Sequence, residues 1–295
     1  YGSECIIMEF LAGNRIRGTS ADRVAYGIPV STTGLKAYYK FNETSGNVIN
    51  QASAVGSSVM VASSDLVTAG VTYIPSGSGS PFGYAMSYDG TNDAARASSS
   101  ALADWKFLSE GGTTFTVAGW VYRDGTTEDA LTSTGNSGSG ETAYLMRLTS
   151  GNTTLTPIFG TTGVDRVAYG TTVTMATGGW HFMVHTYDDS TGESIVTIDD
   201  GTPEVNGGHN LTNTNSPETY LLFAESLGEA NFFAGDTAEF SFWNRVLNAT
   251  EITDLYNSGS GVSLSTPINA VDGSIFYETD TNKEYVLYNN TWTEV

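Results

Sequence analysis

Paired carboxylates are the side chains of this chain that are best suited to acid–base chemistry. Retaining glycoside hydrolysis, for example, needs two carboxyl groups about 5–5.5 Å apart. The candidates are Asp188 with Asp189, Asp199 with Asp200, and Glu225 with Glu229. All of them fall at predicted turns, where acidic residues commonly bond their own backbone. A Glu-x-Asp-x-x-Glu pattern is absent from the sequence, so we expect no catalytic carboxylate pair.

The histidines and the single cysteine offer no second route to catalysis. His181 and His185 share one face of a predicted strand and would lie about 13 Å apart, too far to bind one metal ion. We interpret them as aromatic core or surface residues. Cys5 has no neighbouring histidine, and the sequence contains no Gly-x-Ser-x-Gly nucleophile motif. The sequence therefore predicts that the protein is not an enzyme.

Composition excludes several partner classes. The chain has 295 residues, of which 39% are hydrophobic, and no apolar stretch approaches the roughly 20 residues of a membrane-spanning helix. Membrane insertion is therefore not expected. With 12 Lys and Arg against 32 Asp and Glu, the net charge is −20. Such a field repels phosphate backbones, so nucleic acid is not an expected partner.

The elements that must position any site are mainly strands. Many glycines separate short runs that are rich in Val, Phe, Tyr and Trp. Residues 115–122 and 180–187 carry apolar side chains on both faces, as expected of strands that are buried between two layers. Residues 194–198 alternate and end at Asp199-Asp200-Gly201, which is a hairpin turn signal. These patterns predict an all-β protein.

Helical signals are few. Asn248 is placed to cap a short helix, with Glu251 able to reach back to its amide. A second helical pattern covers residues 101–110. Composition divides the chain into a strand-like N-terminal arm at 1–32, a strand-rich body at 33–264, and a linker with a small C-terminal β meander at 265–295.

The body resembles a known family. Six pieces occur in the family's order: GLKAYYKFNETSG (34–46), YAMSYDGTNDAARA (84–97), FTVAGWVY (115–122), GGWHFMVHTYDDSTG (178–192), VTIDDGTPE (196–204) and FFAGDTAEFSFWNRVLNATEITDLYNSG (232–259). These pieces resemble the laminin-G-like, concanavalin A-like lectin jelly roll. The resemblance implies two antiparallel sheets packed as a jelly-roll sandwich.

The two ends resemble a different group of proteins. MEFLAGNRIRGTSADR (8–23) and GSIFYETDTNKEYVLYNNTWTEV (273–295) are similar to terminal pieces of structural proteins of phages and archaeal viruses. The resemblance implies a role at the surface of a virion or a filament.

The jelly-roll resemblance also implies a possible cofactor, calcium. Members of the family often hold one ion between the loop after the first strand and the last strand, which here would use Asn42, Glu43, Asn50 and Glu239. The position where the family's aspartate is expected is Ala238. A second cluster of hard oxygen ligands is Asp89 with Asp93, whose alternative interpretation is a self-bonded turn.

Two functions follow as hypotheses. In the first, the protein is a surface protein that self-associates, because an unpaired apolar strand can complete a neighbour's sheet. The strand-like residues of the arm are Cys5, Ile6, Ile7, Met8, Phe10 and Leu11. The alternative is that both ends fold back on their own chain.

In the second hypothesis, loops of the sandwich bind carbohydrate, which needs an exposed aromatic platform beside polar groups. The candidate aromatic residues are Trp105, Tyr122, Tyr144 and Tyr169. The sequons at Asn152 and Asn210 are predicted glycosylation sites. Both hypotheses predict an extracellular, virion or cell-surface location.

Overall fold

The structure of the protein is a computed structural model. The residues that it describes are 15–18, 32–53, 65–97, 102–125, 129–135, 142–148, 154–161, 167–168, 173–209, 211, 221–225, 232–264, 273–288 and 291–295.

The described residues form mostly strands, as the alternating pattern predicts. In chain order they are β1 (Arg15–Gly18), β2 (Leu35–Tyr39), β3 (Leu66–Ala69), β4 (Thr72–Ile74), β5 (Ala85–Asp89), β6 (Ala94–Ala97), β7 (Thr114–Arg123), β8 (Asp129–Ser133), β9 (Thr142–Leu148), β10 (Leu155–Thr161), β11 (Val167–Ala168), β12 (Trp180–Asp188), β13 (Glu193–Ile198), β14 (Glu204–Asn206), β15 (Leu222–Phe223), β16 (Ala234–Trp243), β17 (Ile275–Glu278), β18 (Glu284–Tyr288) and β19 (Thr291–Glu294).

Two antiparallel sheets build the body. One has seven strands in the order β11-β10-β9-β8-β15-β6-β3. The other has eight strands in the order β14-β13-β12-β7-β16-β5-β4, with β2 also paired to β16. The predicted two-sheet jelly-roll sandwich is confirmed.

The core is built from the inward side chains of both sheets. Phe115, Val117 and Val121 of β7 belong to one buried cluster with Tyr144 of β9 and Phe159 of β10. Because successive side chains of a strand point to opposite faces, the residues between these on β7 face away from the core. We call that side of the eight-stranded sheet the outer face.

One helix packs on this sheet. Helix α1 (Ala249–Tyr256) begins at Asn248, whose side-chain oxygen accepts a hydrogen bond from the Glu251 amide at 3.0 Å. The Glu251 carboxylate in turn accepts from the Asn248 amide at 2.9 Å. The predicted capping box is therefore confirmed. Residues Leu102–Leu108 and Asn257–Gly259 form short 3₁₀ helices.

The chain divides into two compact units. One is Thr32–Gly261, and the other combines Tyr1–Ser31 with Val262–Val295. In the second unit, β1 pairs in parallel with β17, in a four-stranded sheet of order β1-β17-β18-β19. The described part of the arm is thus paired with the tail of its own chain. The arm residues Cys5 to Leu11 lie outside the described residues.

Candidate functional site

One part of the outer face carries partly exposed aromatic and polar side chains. On β7, Val121 is buried in the core and its neighbour Tyr122 is half-buried on the opposite face. On β16, buried Thr237 bonds the core residue Tyr88, and its neighbour Asp236 is half-buried on the outer face. Strand alternation therefore presents polar and aromatic groups directly over the apolar layer.

The strand register places these side chains in a line across the sheet. Tyr122 lies opposite Trp180 of β12 on one side and opposite Asp236 of β16 on the other. Asp236 lies opposite Ser87 of β5, which lies opposite Thr72 of β4. Directly opposed side chains have Cβ atoms about 4.5–5.5 Å apart, so neighbours in the line interact. We call this line the outer-face row.

The aromatic end of the outer-face row is a pair of rings. The ring centroids of Tyr122 and Trp180 are 6.0 Å apart, and the ring planes are tilted by 53°. Both residues are partly exposed. A side chain with a broad apolar ring face at the surface can stack on a ligand, since the ring face is the negative pole of its quadrupole.

Helix α1 limits the extent of this aromatic surface. Two residues further along the strands, Trp120 and Phe182 lie opposite each other on the same outer face. The Tyr256 ring of α1 covers both, at 6.0 Å from the Trp120 ring and 6.2 Å from the Phe182 ring. Trp120 and Phe182 are therefore buried, at 3% and 2% exposure, and the open aromatic surface begins at Tyr122 and Trp180.

The polar end of the row has unusual electrostatics. Burial raises the pKa of the Asp236 carboxyl group, and the negative charge of Asp124 raises it further. A hydrogen bond with the Ser87 side chain acts in the opposite direction. Asp124 follows β7 directly, and its amide donates to the Ala234 carbonyl at 3.1 Å. Two carboxyl groups therefore lie beside the aromatic pair.

A cavity of about 670 Å³ lies next to the turn between β13 and β14. Its walls are the turn itself and the segment 173–176, together with His181. The Glu204 carboxylate accepts a hydrogen bond from the Val173 amide at 3.1 Å and so ties the two walls together. The described part of the lining contains Asp199, Asp200 and Glu204 but no Lys or Arg, so these residues give it a negative electrostatic potential.

His181 and Asp199 form the ionisable pair of this cavity. The His181 Nδ1 atom lies 2.7 Å from Asp199 Oδ2, and Asp199 Oδ1 accepts from the Phe182 amide at 2.8 Å. The His181 Nε2 atom is buried and has no hydrogen-bond partner. Gly179 lies beside it, since a Cβ there would be 3.8 Å from Nε2. Asp199 thus orients the ring and fixes the end of β13.

The residues that family resemblance assigns to calcium are occupied by hydrogen bonds of the chain. Asn50 Oδ1 accepts from the amides of Tyr38 and Ala52, each at 3.0 Å. The Glu239 carboxylate accepts from the hydroxyl groups of Tyr38 and Tyr84.

Asn42 and Glu43 are both half-buried, and Glu43 has one carboxylate oxygen that accepts no hydrogen bond. Its Oε1 accepts from the Ile49 amide at 3.0 Å, and its Oε2 is buried without a partner. A single oxygen is too few, because calcium takes about 6–8 oxygen ligands.

The second predicted calcium cluster is a self-bonded turn. Asp93 Oδ2 accepts from the Asp89 amide at 2.8 Å, and Asp89 Oδ1 accepts from the Thr91 amide at 2.7 Å. Among the described residues, no group of three or more acidic, His or Cys side chains could hold a metal ion. As arranged, the predicted residues do not fit calcium, and we assign the ion no role in the site.

Of the aromatic residues predicted to form a sugar platform, Tyr122 alone lies at the described surface. Trp105 and Tyr144 are core residues, at 2% and 0% exposure. Tyr169 lies outside the described residues, as do Asn152 and Asn210. Trp180 and Asp236, which flank Tyr122, were not predicted. Their proximity to Tyr122 depends on the strand register. The sequence signal that could have identified them is their position on the outward side of their strands.

Two other residues that were considered for chemistry, His185 and Glu225, are held by contacts within the chain. His185 is fully buried in the aromatic core, in line with its interpretation as a core residue. Glu225 pairs with Arg96. No helix in the described part of the chain combines the length and the apolar character needed to cross a membrane.

Solved structures with the same fold include sialidases of Trypanosoma rangeli. The sialidase in complex with the inhibitor DANA has a TM-score of 0.56 and 15% identity, covering 80% of this chain and 34% of that chain. The sialidase in complex with sialic acid has a TM-score of 0.54 and 16% identity, covering 77% and 34%. The chain spans about a third of the length of these sialidases, and the likeness shows a shared fold. No curated protein sequence matches the chain.

These structures correct the prediction that the protein is not an enzyme. That prediction is wrong, because proteins of this fold include enzymes such as the sialidases. Its reasoning relied on the absence of a carboxylate pair, a metal-binding histidine pair and a nucleophile motif, and the absence of these particular patterns does not exclude catalysis. The fold is also shared by proteins that are not enzymes, so fold alone does not decide activity.

A family model identifies the chain directly. The model of the "Concanavalin A-like lectin/glucanases superfamily" matches residues 89–253, which is more than half of the chain. The matched region includes β7, β12 and β16, the strands that carry Tyr122, Trp180 and Asp236. The sandwich of two sheets agrees with this assignment. The chain belongs to the concanavalin A-like lectin/glucanase superfamily.

Proposed function

We propose that the protein binds carbohydrate through the outer-face row. The observation that carries the proposal is the position of Tyr122, which lies between Trp180 and Asp236 across three neighbouring strands. Two adjacent aromatic rings and a carboxylate are therefore held by rigid strands at one surface. Sites on strands are positioned more precisely than sites on loops.

The chemistry of these groups suits a sugar. The axial C–H groups of a pyranose can pack on the negative face of an aromatic ring. The carboxylates of Asp236 and Asp124 are hydrogen-bond acceptors, and sugar hydroxyl groups are donors. Recognition sites commonly combine an apolar surface with a few convergent polar groups. The lectin-like fold supports the same proposal.

Substitution of the aromatic pair tests the proposal. A glycan array with the wild-type chain identifies a ligand, and isothermal titration then measures its Kd. Trp180→Ala is expected to weaken binding by about tenfold or more, as does loss of a central aromatic residue in other interfaces. Trp180→Phe keeps a ring face and is expected to retain most of the affinity.

Tyr122→Ala is expected to weaken glycan binding by about the same factor as Trp180→Ala. The matched control is Tyr277→Ala in β17, which removes a partly buried tyrosine of the other unit. Equal losses in Tyr277→Ala and Tyr122→Ala would contradict a role for the outer-face row. A blank array with folded wild-type protein would contradict carbohydrate binding itself.

Self-association through the chain ends is a separate proposal, as is a location outside the cell or on a virion. The described strand β1 already has β17 of its own chain on one side, so a neighbour would have to add at a free edge. Light scattering of the full chain tests this idea. Deletion of the arm, residues 1–32, should leave a folded monomer if the arm joins neighbouring chains, and polymerisation of the shortened chain would contradict this role.

A further inference from the structure

Two further aspartates lie on the outer face beside the outer-face row. Asp124 follows Tyr122 by two positions and lies level with Ala234 of β16. Asp89 lies opposite Ala234 on the other side. Both aspartates are exposed. Asp124 and Asp89 form a carboxylate border along one side of the row, next to Asp236 within the row.

Among the described residues of the row and of this border, no side chain supplies a compensating positive charge. None of the side chains in the outer-face row is Lys or Arg, and neither is Ala234 between the two exposed aspartates. Arg123 is next to Asp124 in sequence, but it is fully buried on the inner face. The net charge of the whole chain, −20, has the same sign as the border. The electrostatic potential over the row is therefore negative.

We propose that the outer-face row selects glycans that lack acidic groups and rejects glycans that carry carboxylate or sulfate groups. The inference rests on the proposed function and specifies its ligand class. Neutral hydroxyl and amide groups can donate hydrogen bonds to Asp236 and Asp124. A carboxylate or sulfate on the ligand would instead meet like charges at short range.

The size of the discrimination follows from Coulomb's law. At separations below about 8 Å, two like charges at a partly buried surface repel measurably even in physiological salt. Because more than one aspartate contributes, we expect an acidic glycan to bind about tenfold or more weakly than its neutral counterpart. The repulsion is screened by salt, so the difference should become smaller as ionic strength rises.

Matched glycan pairs test the inference. The probes are galactan with galacturonan oligosaccharides, cellulose oligosaccharides with their C6-oxidised forms, and lactosamine glycans with and without a terminal sialic acid. Binding is measured by array and then by titration at low and high salt. The neutral member of a bound pair should bind more tightly, and the difference should decrease at high salt.

Charge-removing variants locate the effect. Asp124→Asn keeps an acceptor oxygen but removes the charge, so it should reduce the neutral-over-acidic preference severalfold by tightening the binding of the acidic glycan. The control Glu193→Gln removes an exposed carboxylate at the start of β13, opposite the end of β12 that is distant from Trp180. This control should leave the preference unchanged. An equal reduction in both variants would overturn the assignment to the border.

The outcomes separate this inference from the proposed function. Equal or tighter binding of the acidic member, with loss of binding in Trp180→Ala, would overturn the ligand class and leave carbohydrate binding in place. Absence of binding to every pair by folded wild-type protein would overturn the proposed function, and the inference with it. Preference for the neutral member, reduced by Asp124→Asn, would support both.

Discussion

The imidazole Nε2 of His185 lies 2.8 Å from the hydroxyl group of Ser194, inside the aromatic core between the two sheets. The other ring nitrogen, Nδ1, lies 3.3 Å from the Tyr144 hydroxyl group. The ring centroids of Phe115 and Phe159 both lie within 5.3 Å of the centroid of the His185 ring. Burial lowers the pKa of His185 to about 3, from an ordinary value of 6.5. The ring is therefore neutral in the folded protein.

This burial predicts acid sensitivity. Below about pH 6.5 the unfolded chain binds a proton at His185 that the folded chain does not. The free energy of unfolding should therefore fall as the pH falls from about 6.5 toward 3, by up to about 1.4 kcal/mol per pH unit. In His185→Gln, which cannot titrate, urea denaturation should show a shallower fall. Identical pH dependence in the two proteins would contradict the assignment.

Asp236→Asn is expected to stabilise the protein while weakening glycan binding. Folding raises the pKa of this carboxyl group, so the ionised form opposes folding at neutral pH. Asn removes the charge, and the Tm should rise at neutral pH. The gain in Tm should disappear below pH 3.8, the ordinary pKa of an aspartate, because the carboxyl group is then protonated in both the folded and the unfolded chain. A lower Tm of the variant at neutral pH would contradict this account.

Gly119→Ala tests how tightly the sandwich is packed. A Cβ at Gly119 would lie 2.4 Å from the ring of Phe240 on the neighbouring strand β16. Because Phe240 is a fully buried core residue, relief requires movement of the core, and we expect a loss of about 1–3 kcal/mol in urea denaturation. The control is Gly207→Ala, whose new Cβ would meet its nearest atom at 3.7 Å. Similar losses in the two variants would contradict this packing.

The capping box of helix α1 is expected to stabilise the cover over Trp120. Asn248→Ala removes the acceptor of the Glu251 amide and should cost about 1 kcal/mol. Asn248→Ser keeps a capping oxygen and should cost less. Chemical denaturation gives the difference in stability between the two variants. Equal stability of the Ala and Ser variants would show that the cap contributes nothing.

The calcium prediction can be tested directly. Because the oxygens of Asn50 and Glu239 already accept hydrogen bonds from the chain, we expect millimolar calcium to leave the Tm of the EDTA-treated protein unchanged. Magnesium at the same concentration controls for ionic strength. A rise in Tm with calcium alone would establish a bound ion and contradict our expectation.

Local patterns in the sequence predicted the all-β class, several of the strands and the helix. Alternation and turn signals located β7, β12 and β13, and the spacing of Asn248 and Glu251 located α1. These features depend on near neighbours in the chain. The same local rules did not distinguish Tyr122 at the surface from Tyr144 in the core, because both tyrosines lie on strands and differ in what lies opposite them.

The candidate site could not be predicted because it depends on pairing between distant strands. Tyr122 meets Trp180 and Asp236 only after β7 is placed between β12 and β16 in a defined register. Glu239 shows a second limit. The register of β16 against β7 shifts between Ala238 and Ser241, and Glu239 has a positive φ of 53°. A bulge of this kind redirects a side chain that simple alternation would place elsewhere.

The parallel pairing of β1 with β17 has a consequence for biosynthesis. The whole Thr32–Gly261 unit lies between these two strands in sequence. During translation β1 must therefore wait for its partner until the sandwich has left the ribosome, and a sandwich that has already folded shortens the loop to be closed. We expect the four-stranded terminal sheet to form last.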